Sequence, residues 1–204
     1  MAKITSVDYE AMPNQAKQMR NYGKDLNTQV TTAYQSVDEM RKSWYGKRYN
    51  SLVQEFNKII PNLNELLDLV VGEIPFAIET VANNYALADK GAKVTSAVKE
   101  APRKITNITE SKEVGMRFLT AEVSDTQTKV TKNFQTSKDI MNTIEGEYKK
   151  INWSSEAADT FRNKFTTLKN SIVKSFEDIN SQFTQLMNQT KDDIQATENA
   201  NTVQ

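Results

Sequence analysis

Paired carboxylates are the residues in this chain whose types and spacing come closest to chemistry. Asp38-Glu39 and Asp192-Asp193 are the clearest examples. Two carboxyl groups can work as general acid and nucleophile in glycoside hydrolysis, but only across a cleft that admits substrate. Here they are scattered along stretches that read as helix surface, where solvation is their ordinary role. Other reagents are missing. The chain has no histidine and no cysteine. Thiolate nucleophiles, disulfides, Ser-His-Asp arrangements and Cys/His zinc sites therefore drop out. So do the Glu-x-x-His pairs of four-helix di-metal sites. No glycine-rich phosphate loop and no Gly-Lys-Ser/Thr occurs. The expectation is a non-enzymatic chain with no cofactor and no metal.

The elements that position these residues follow from composition and periodicity. The chain has 204 residues, with 26 Lys plus Arg against 26 Asp plus Glu. A net charge of zero argues against nucleic acid, which needs surplus cations to displace counterions from phosphates. Six Gly and four Pro are too few for the many turns of an all-β protein, so long helices are expected. The opening MAKITSVDYEAMP has no apolar core of the kind a secretory signal peptide carries. No run of about 18 apolar residues exists, so no transmembrane helix is expected. The most apolar stretch, Leu66 to Ile78, holds Asp68, Glu73 and Pro75. It reads either as the core-facing part of a helix or as a segment that refolds into lipid.

Four heptad-like seams organise the chain. The first runs Ala16, Met19, Gly23, Leu26, Val30, Ala33, Val37, Met40, Trp44 with alternating spacings of three and four. Pro13 suits its first turn, and Asp8 to Met12 can add a turn before it. Gly46 ends this pattern. The second seam runs Tyr49, Leu52, Phe56, Ile59, Leu63, Leu66, Val70, then less strictly Ile74, Ala77 or Ile78, Val81, Tyr85 and Ala88. Pro61 and Pro75 predict bends in one continuous helix. Lys90 to Ile108 loses the seam and reads as a connector, with room for a short helix over 92–101. Its basic residues Lys90, Lys93, Lys99, Arg103 and Lys104 are either solvated or turned to an anionic surface. The third helix is expected from near Glu110 through Phe118, Val123, Val130, Phe134, Met141, Tyr148 and Ile151. Asn152 to Ser155 interrupts it, with Ser154 or Ser155 as a helix N-cap. The fourth seam runs from Ala158 through Phe161, Phe165, Leu168, Ile172, Phe176, Ile179, Phe183 and Leu186 to Ile194, and the tail 196–204 is expected to fray.

The two hairpins repeat one another. Trp44 and Trp153 stand 109 residues apart, and aligned on them Leu52 matches Phe161 and Phe56 matches Phe165. Trp44-Tyr45-Gly46 is a Trp-x-Gly turn between two long seams; Trp153-Ser154-Ser155 keeps the tryptophan and has serine for the glycine. Tyr85-Ala-Leu-Ala-Asp89 follows Trp44 by 41 residues, and the same offset from Trp153 falls on Ile194 to Glu198. By these features the chain resembles the WXG-motif family, the early-secreted-antigen-like helical hairpins exported by type VII (ESX-like) systems. It looks like two such hairpins in tandem.

The resemblance implies an all-α fold: two long antiparallel hairpins packed as an elongated four-helix bundle. The implied division is 1–89, a connector over 90–108, and 109–204. It implies a secreted interaction protein, a substrate or structural partner of a type VII machine, with the secretion ATPase, another secretion component or a co-secreted effector as partner. Export would be independent of a signal peptide, from the cytoplasm of a Gram-positive-type bacterium to the outside or the cell surface. Tyr85 and Asp89 would be the export signal, and Trp44, Gly46, Trp153 and Ser155 the hairpin turns. Tyr85 also admits a plain core or rim role, with Asp89 merely solvated. Other readings are a membrane-active bundle toxin component and a carrier for a larger toxin. Two hairpins in one chain can satisfy each other's seams, so a monomer with an internal pseudo-dimer is expected. A 19-residue connector spans roughly 63 Å when extended, about the length of a 42-residue helix. It therefore favours an antiparallel pair of hairpins, with the Trp153 turn towards Tyr85 and Asp89, over a simple up-down-up-down order.

Overall fold

The computed structural model describes residues 7–201, so the first six residues of the opening MAKITSVDYEAMP and the last three of the expected frayed tail lie outside it. The described chain is an all-α helical bundle with one two-stranded ribbon. Its elements are α1 (Met12–Met40), β1 (Trp44–Tyr45), α2 (Lys47–Lys58), α3 (Ile60–Leu67), a π-helical segment (Asp68–Glu73), α4 (Ile74–Lys90), β2 (Arg117–Phe118), α5 (Thr120–Lys150) and α6 (Glu156–Asn201). Two compact units are drawn from these. One holds the chain up to Thr28 with Asn62–Lys104 and Ser137–Ser171; the other holds Gln29–Pro61, Ile105–Thr136 and the chain from Ile172 on.

In the first unit, Asp8 opens the chain with a turn: its carboxylate accepts the Ala11 N–H at 3.0 Å. Pro13 then lies in the first turn of α1, where its missing N–H costs nothing. Gly23 allows α1 to approach the π segment, since a Cβ there would stand 2.8 Å from Val71 and 3.0 Å from Val70. Leu66, Leu67, Leu69, Val70, Val71, Ile74 and Ile78 are all buried, so the most apolar stretch of the chain faces the core, with Phe76 its exposed exception. No helix among the described residues is long and apolar enough to cross a membrane.

The expected bends take specific forms. Pro61 and Pro75 each leave a carbonyl four residues back, at Asn57 and Val71, without its helical donor. A break at Ile59 precedes Pro61, and the π segment precedes Pro75. The π segment widens the turn and rotates every later side chain. Ile74 and Ile78 are buried in α4 as expected, but the next buried apolar positions are Ala82 and Ala86, in place of the expected Val81, Tyr85 and Ala88. Tyr85 is thereby turned outward.

The connector is longer and less helical than expected. Gly91, left-handed at φ 70°, caps α4, and no helix forms over 92–101. Side chains of the first unit take up the connector's backbone groups instead. Asn83 accepts the Val94 and Thr95 N–H groups and donates to the Thr95 carbonyl, all within 3.1 Å. Glu79 accepts the Val98 N–H at 3.0 Å, and Arg20 donates to the Val98 carbonyl at 3.0 Å. Arg20 and Glu79 also form a buried bidentate pair at 3.0 and 3.1 Å. Gly72 leaves room for the Glu100 carbonyl, which would lie 2.5 Å from a Cβ.

In the second unit, Asn57 pairs with both backbone groups of Ile108, and Asn50 with both of Ser111. Phe118 enters β2, which runs antiparallel to β1 with Trp44 opposite Phe118 and Tyr45 opposite Arg117. These bonds occupy the backbone that a helix from Glu110 would need, so α5 starts ten residues later than expected, at Thr120. The Leu119 N–H donates to the Ser43 carbonyl at 2.8 Å, and the Ser43 hydroxyl donates to Glu122. Helix α5 therefore begins beside the Trp44 turn. The core of this unit is aromatic: Tyr34 meets Phe56 edge-on at 5.3 Å, Phe56 lies 5.7 Å from Phe134, and Phe134 stacks on Phe176 at 3.9 Å.

Candidate functional site

Trp44 and Gly46 sit in the second unit and do different work. The indole of Trp44, 1 % exposed, fills the space between Tyr49, Phe118 and Phe183, with ring centroids 6.2, 5.5 and 6.0 Å away. Gly46 links β1 to α2 at φ 113°, a region L side chains avoid, and a Cβ there would meet the Gly115 carbonyl oxygen at 3.2 Å. Its carbonyl then accepts the Asn50 N–H at 3.1 Å and starts α2. Tryptophan and glycine thus form a plugged turn.

Trp153 and Ser155 build the second turn, in the first unit. Trp153 is 6 % exposed and packs on Phe161 at 6.3 Å. Its carbonyl accepts a hydrogen bond from Arg162 at 3.0 Å, and that guanidinium lies 5.2 Å from the Tyr148 ring. The Ser155 hydroxyl accepts the Ala158 N–H at 3.1 Å, an N-cap bond for α6. Where the first turn uses glycine for shape, the second uses serine for capping. Phe161, expected in the core, is only half-buried, while Phe165 is fully buried.

Tyr85 and Asp89 project from the end of α4, one turn apart on one face. Tyr85 is 41 % exposed. Asp89 is exposed and accepts a hydrogen bond from Tyr9. Trp153 shares a compact unit with Tyr85 and Asp89 but is engaged with Phe161 and Arg162, not with that pair. The Tyr9 phenol is raised above its ordinary range, chiefly because its hydrogen bond to Asp89 favours the protonated form. Lys90 is raised in turn by its hydrogen bond to Glu10.

Periodicity did not point to Tyr9, Glu10 or the connector-holding asparagines. Asn50 and Asn57 stand seven residues apart on a polar flank of α2, the one regularity that marks them. The basic run of the connector is largely compensated within the chain: Lys90 pairs with Glu10, Lys99 with Glu73 at 3.6 Å, and Lys104 with Asp68.

Comparison with curated proteins and with solved structures finds no match. A family model does match, over residues 4–90, which take in α1 to α4 with the Trp44–Gly46 turn and the Tyr85–Asp89 pair. Its description is WXG100, proteins of 100 residues with WXG. This family consists of small helical proteins associated with type VII secretion, and residues 4–90 of this chain are similar to it.

Proposed function

We propose that this chain is an exported, non-enzymatic interaction protein, a substrate or structural partner of a type VII, ESX-like secretion system. It is made in the cytoplasm of a Gram-positive-type bacterium and leaves without a signal peptide, for the medium or the cell surface. The observation that carries this reading is Tyr85: an aromatic 41 % exposed, one helical turn from Asp89, on a hairpin of WXG100 type. An amphipathic ring beside a carboxylate makes a compact feature for a secretion component such as the export ATPase to recognise. A co-secreted effector is the further partner this role allows.

The second hairpin, with Trp153 and Ser155 at its turn, stands for the partner hairpin that a single WXG unit would find in another chain. The protein is accordingly a monomer with an internal pseudo-dimer, divided as 1–89 and 109–204 about a connector. Secretion from the native cell tests the proposal. Export should stop when the ATPase is deleted and when Tyr85 is changed to Ala, while the variant stays folded in the cytoplasm. Substitutions at Ile194 or Glu198 should be tolerated. Normal export of folded Tyr85→Ala protein would refute the role of this residue.

A further inference from the structure

The turn before α1 and the end of α4 are joined by paired groups within the first unit. Tyr9 donates to the Asp89 carboxylate, Lys90 donates to Glu10, and the Lys90 ammonium lies 5.4 Å from the Tyr9 ring centroid. Glu10, Asp89 and Lys90 are exposed and Tyr9 is half-buried, so the cluster adds little to the core. Asp89 stands in the last turn of α4, where the carbonyl end of the helix dipole opposes a carboxylate. Helix stability therefore does not account for an acid at this position. One of its oxygens accepts the Tyr9 phenol O–H within the chain, and the neighbouring acid Glu10 is paired with Lys90. What the cluster leaves open to a partner is the ring of Tyr85, on the same face as Asp89, and the accessible part of the Tyr9 ring.

We infer that Asp89 acts as the intramolecular acceptor that holds Tyr9 across the end of α4, and that the export machinery reads the rings of Tyr9 and Tyr85 rather than the charge of Asp89. This rests on the reading of Tyr85 and Asp89 as an export signal. The partner surface it calls for is an apolar groove that takes both rings, with an acceptor for the Tyr85 hydroxyl, not a cationic one. Tyr9 is thus a positioning and recognition residue that belongs to the signal although it lies 80 residues from Asp89.

The test is secretion of the full-length chain from its native cell, with Tyr9→Phe, Asp89→Asn, Asp89→Ala and Tyr85→Ala compared at equal cytoplasmic levels and melting temperatures. An amide oxygen still accepts the Tyr9 hydrogen bond, so Asp89→Asn should export within about twofold of the parent, and Tyr9→Phe should fall about fivefold. Asp89→Ala should fall at least as far as Tyr9→Phe. Parent-level export of Tyr9→Phe would overturn the inference and leave the Tyr85 signal standing. Loss in Asp89→Asn as complete as in Asp89→Ala would also overturn it, showing that the charge itself is read. Normal export of Tyr85→Ala would remove the export signal and this inference with it.

Discussion

The indole of Trp44 stacks on the ring of Phe183, centroids 6.0 Å apart and planes inclined at 25°. The contact joins the first tryptophan turn to α6, 139 positions along the chain, and both side chains are fully buried. Replacing either by Ala should destabilise the protein by about 3–5 kcal/mol. The double variant should recover about 0.5–1.5 kcal/mol relative to the sum. Denaturant titration of the four proteins measures this, and strict additivity would show that the rings do not interact.

The fourth seam offers a contrast within one helix. Phe165 is wholly buried and Phe161 only half so. Phe165→Ala should cost about 3–5 kcal/mol, and Phe161→Ala less, because part of its surface is already in water. Equal losses in thermal unfolding would show that Phe161 is more deeply packed than its exposure indicates.

Two glycines with positive φ should respond differently. Gly46 combines φ 113° with a carbonyl 3.2 Å from the Cβ position, so Gly46→Ala should cost about 1–3 kcal/mol. Gly91 has φ 70° in the ordinary left-handed region with nothing within 4 Å of its Cβ position, so Gly91→Asn should stay within about 1 kcal/mol of the parent. Denaturation midpoints of the two variants separate these outcomes.

The Arg20–Glu79 pair is buried and also holds both backbone groups of Val98. Glu79→Ala leaves a buried guanidinium without its main partner and should cost about 3–5 kcal/mol. Hydrogen exchange at the Val98 amide should quicken in that variant before global unfolding. An unchanged Val98 amide would show that the connector is held by other contacts.

Alkaline stability follows from three buried phenols. Burial raises Tyr34, Tyr49 and Tyr148 above their ordinary value of 10.0. A raised folded-state pKa means that the native state keeps its protons while the unfolded chain loses them. Their stabilising contribution is whole below pH 10 and is lost progressively as pH rises above it. Unfolding free energy should therefore fall above pH 10, and less steeply in Tyr34→Phe. A flat profile through that range would show that these phenols are open to solvent.

What this sequence determined by itself was local and periodic. Heptad seams from Ala16 to Met40 and from Val123 to Ile151 sit on the buried faces of α1 and α5 because side chains three and four residues apart share a helix face whatever they pack against. Pro13 and Ser155 act on their own helix ends, so their roles were also legible. Tertiary structure decided what depends on partners distant in sequence. Asn50, Asn57 and Asn83 take up connector backbone that would otherwise have been free to form helix. Phe118 pairs with Trp44 in a ribbon instead of joining α5. Tyr85 falls on the seam by sequence spacing but is turned outward, because the π segment before Pro75 adds to the helical turn and rotates all that follows. A regular 3.6-residue period assumes an unbroken hydrogen-bond ladder, and once proline removes a donor, packing against neighbouring segments chooses how the ladder resumes.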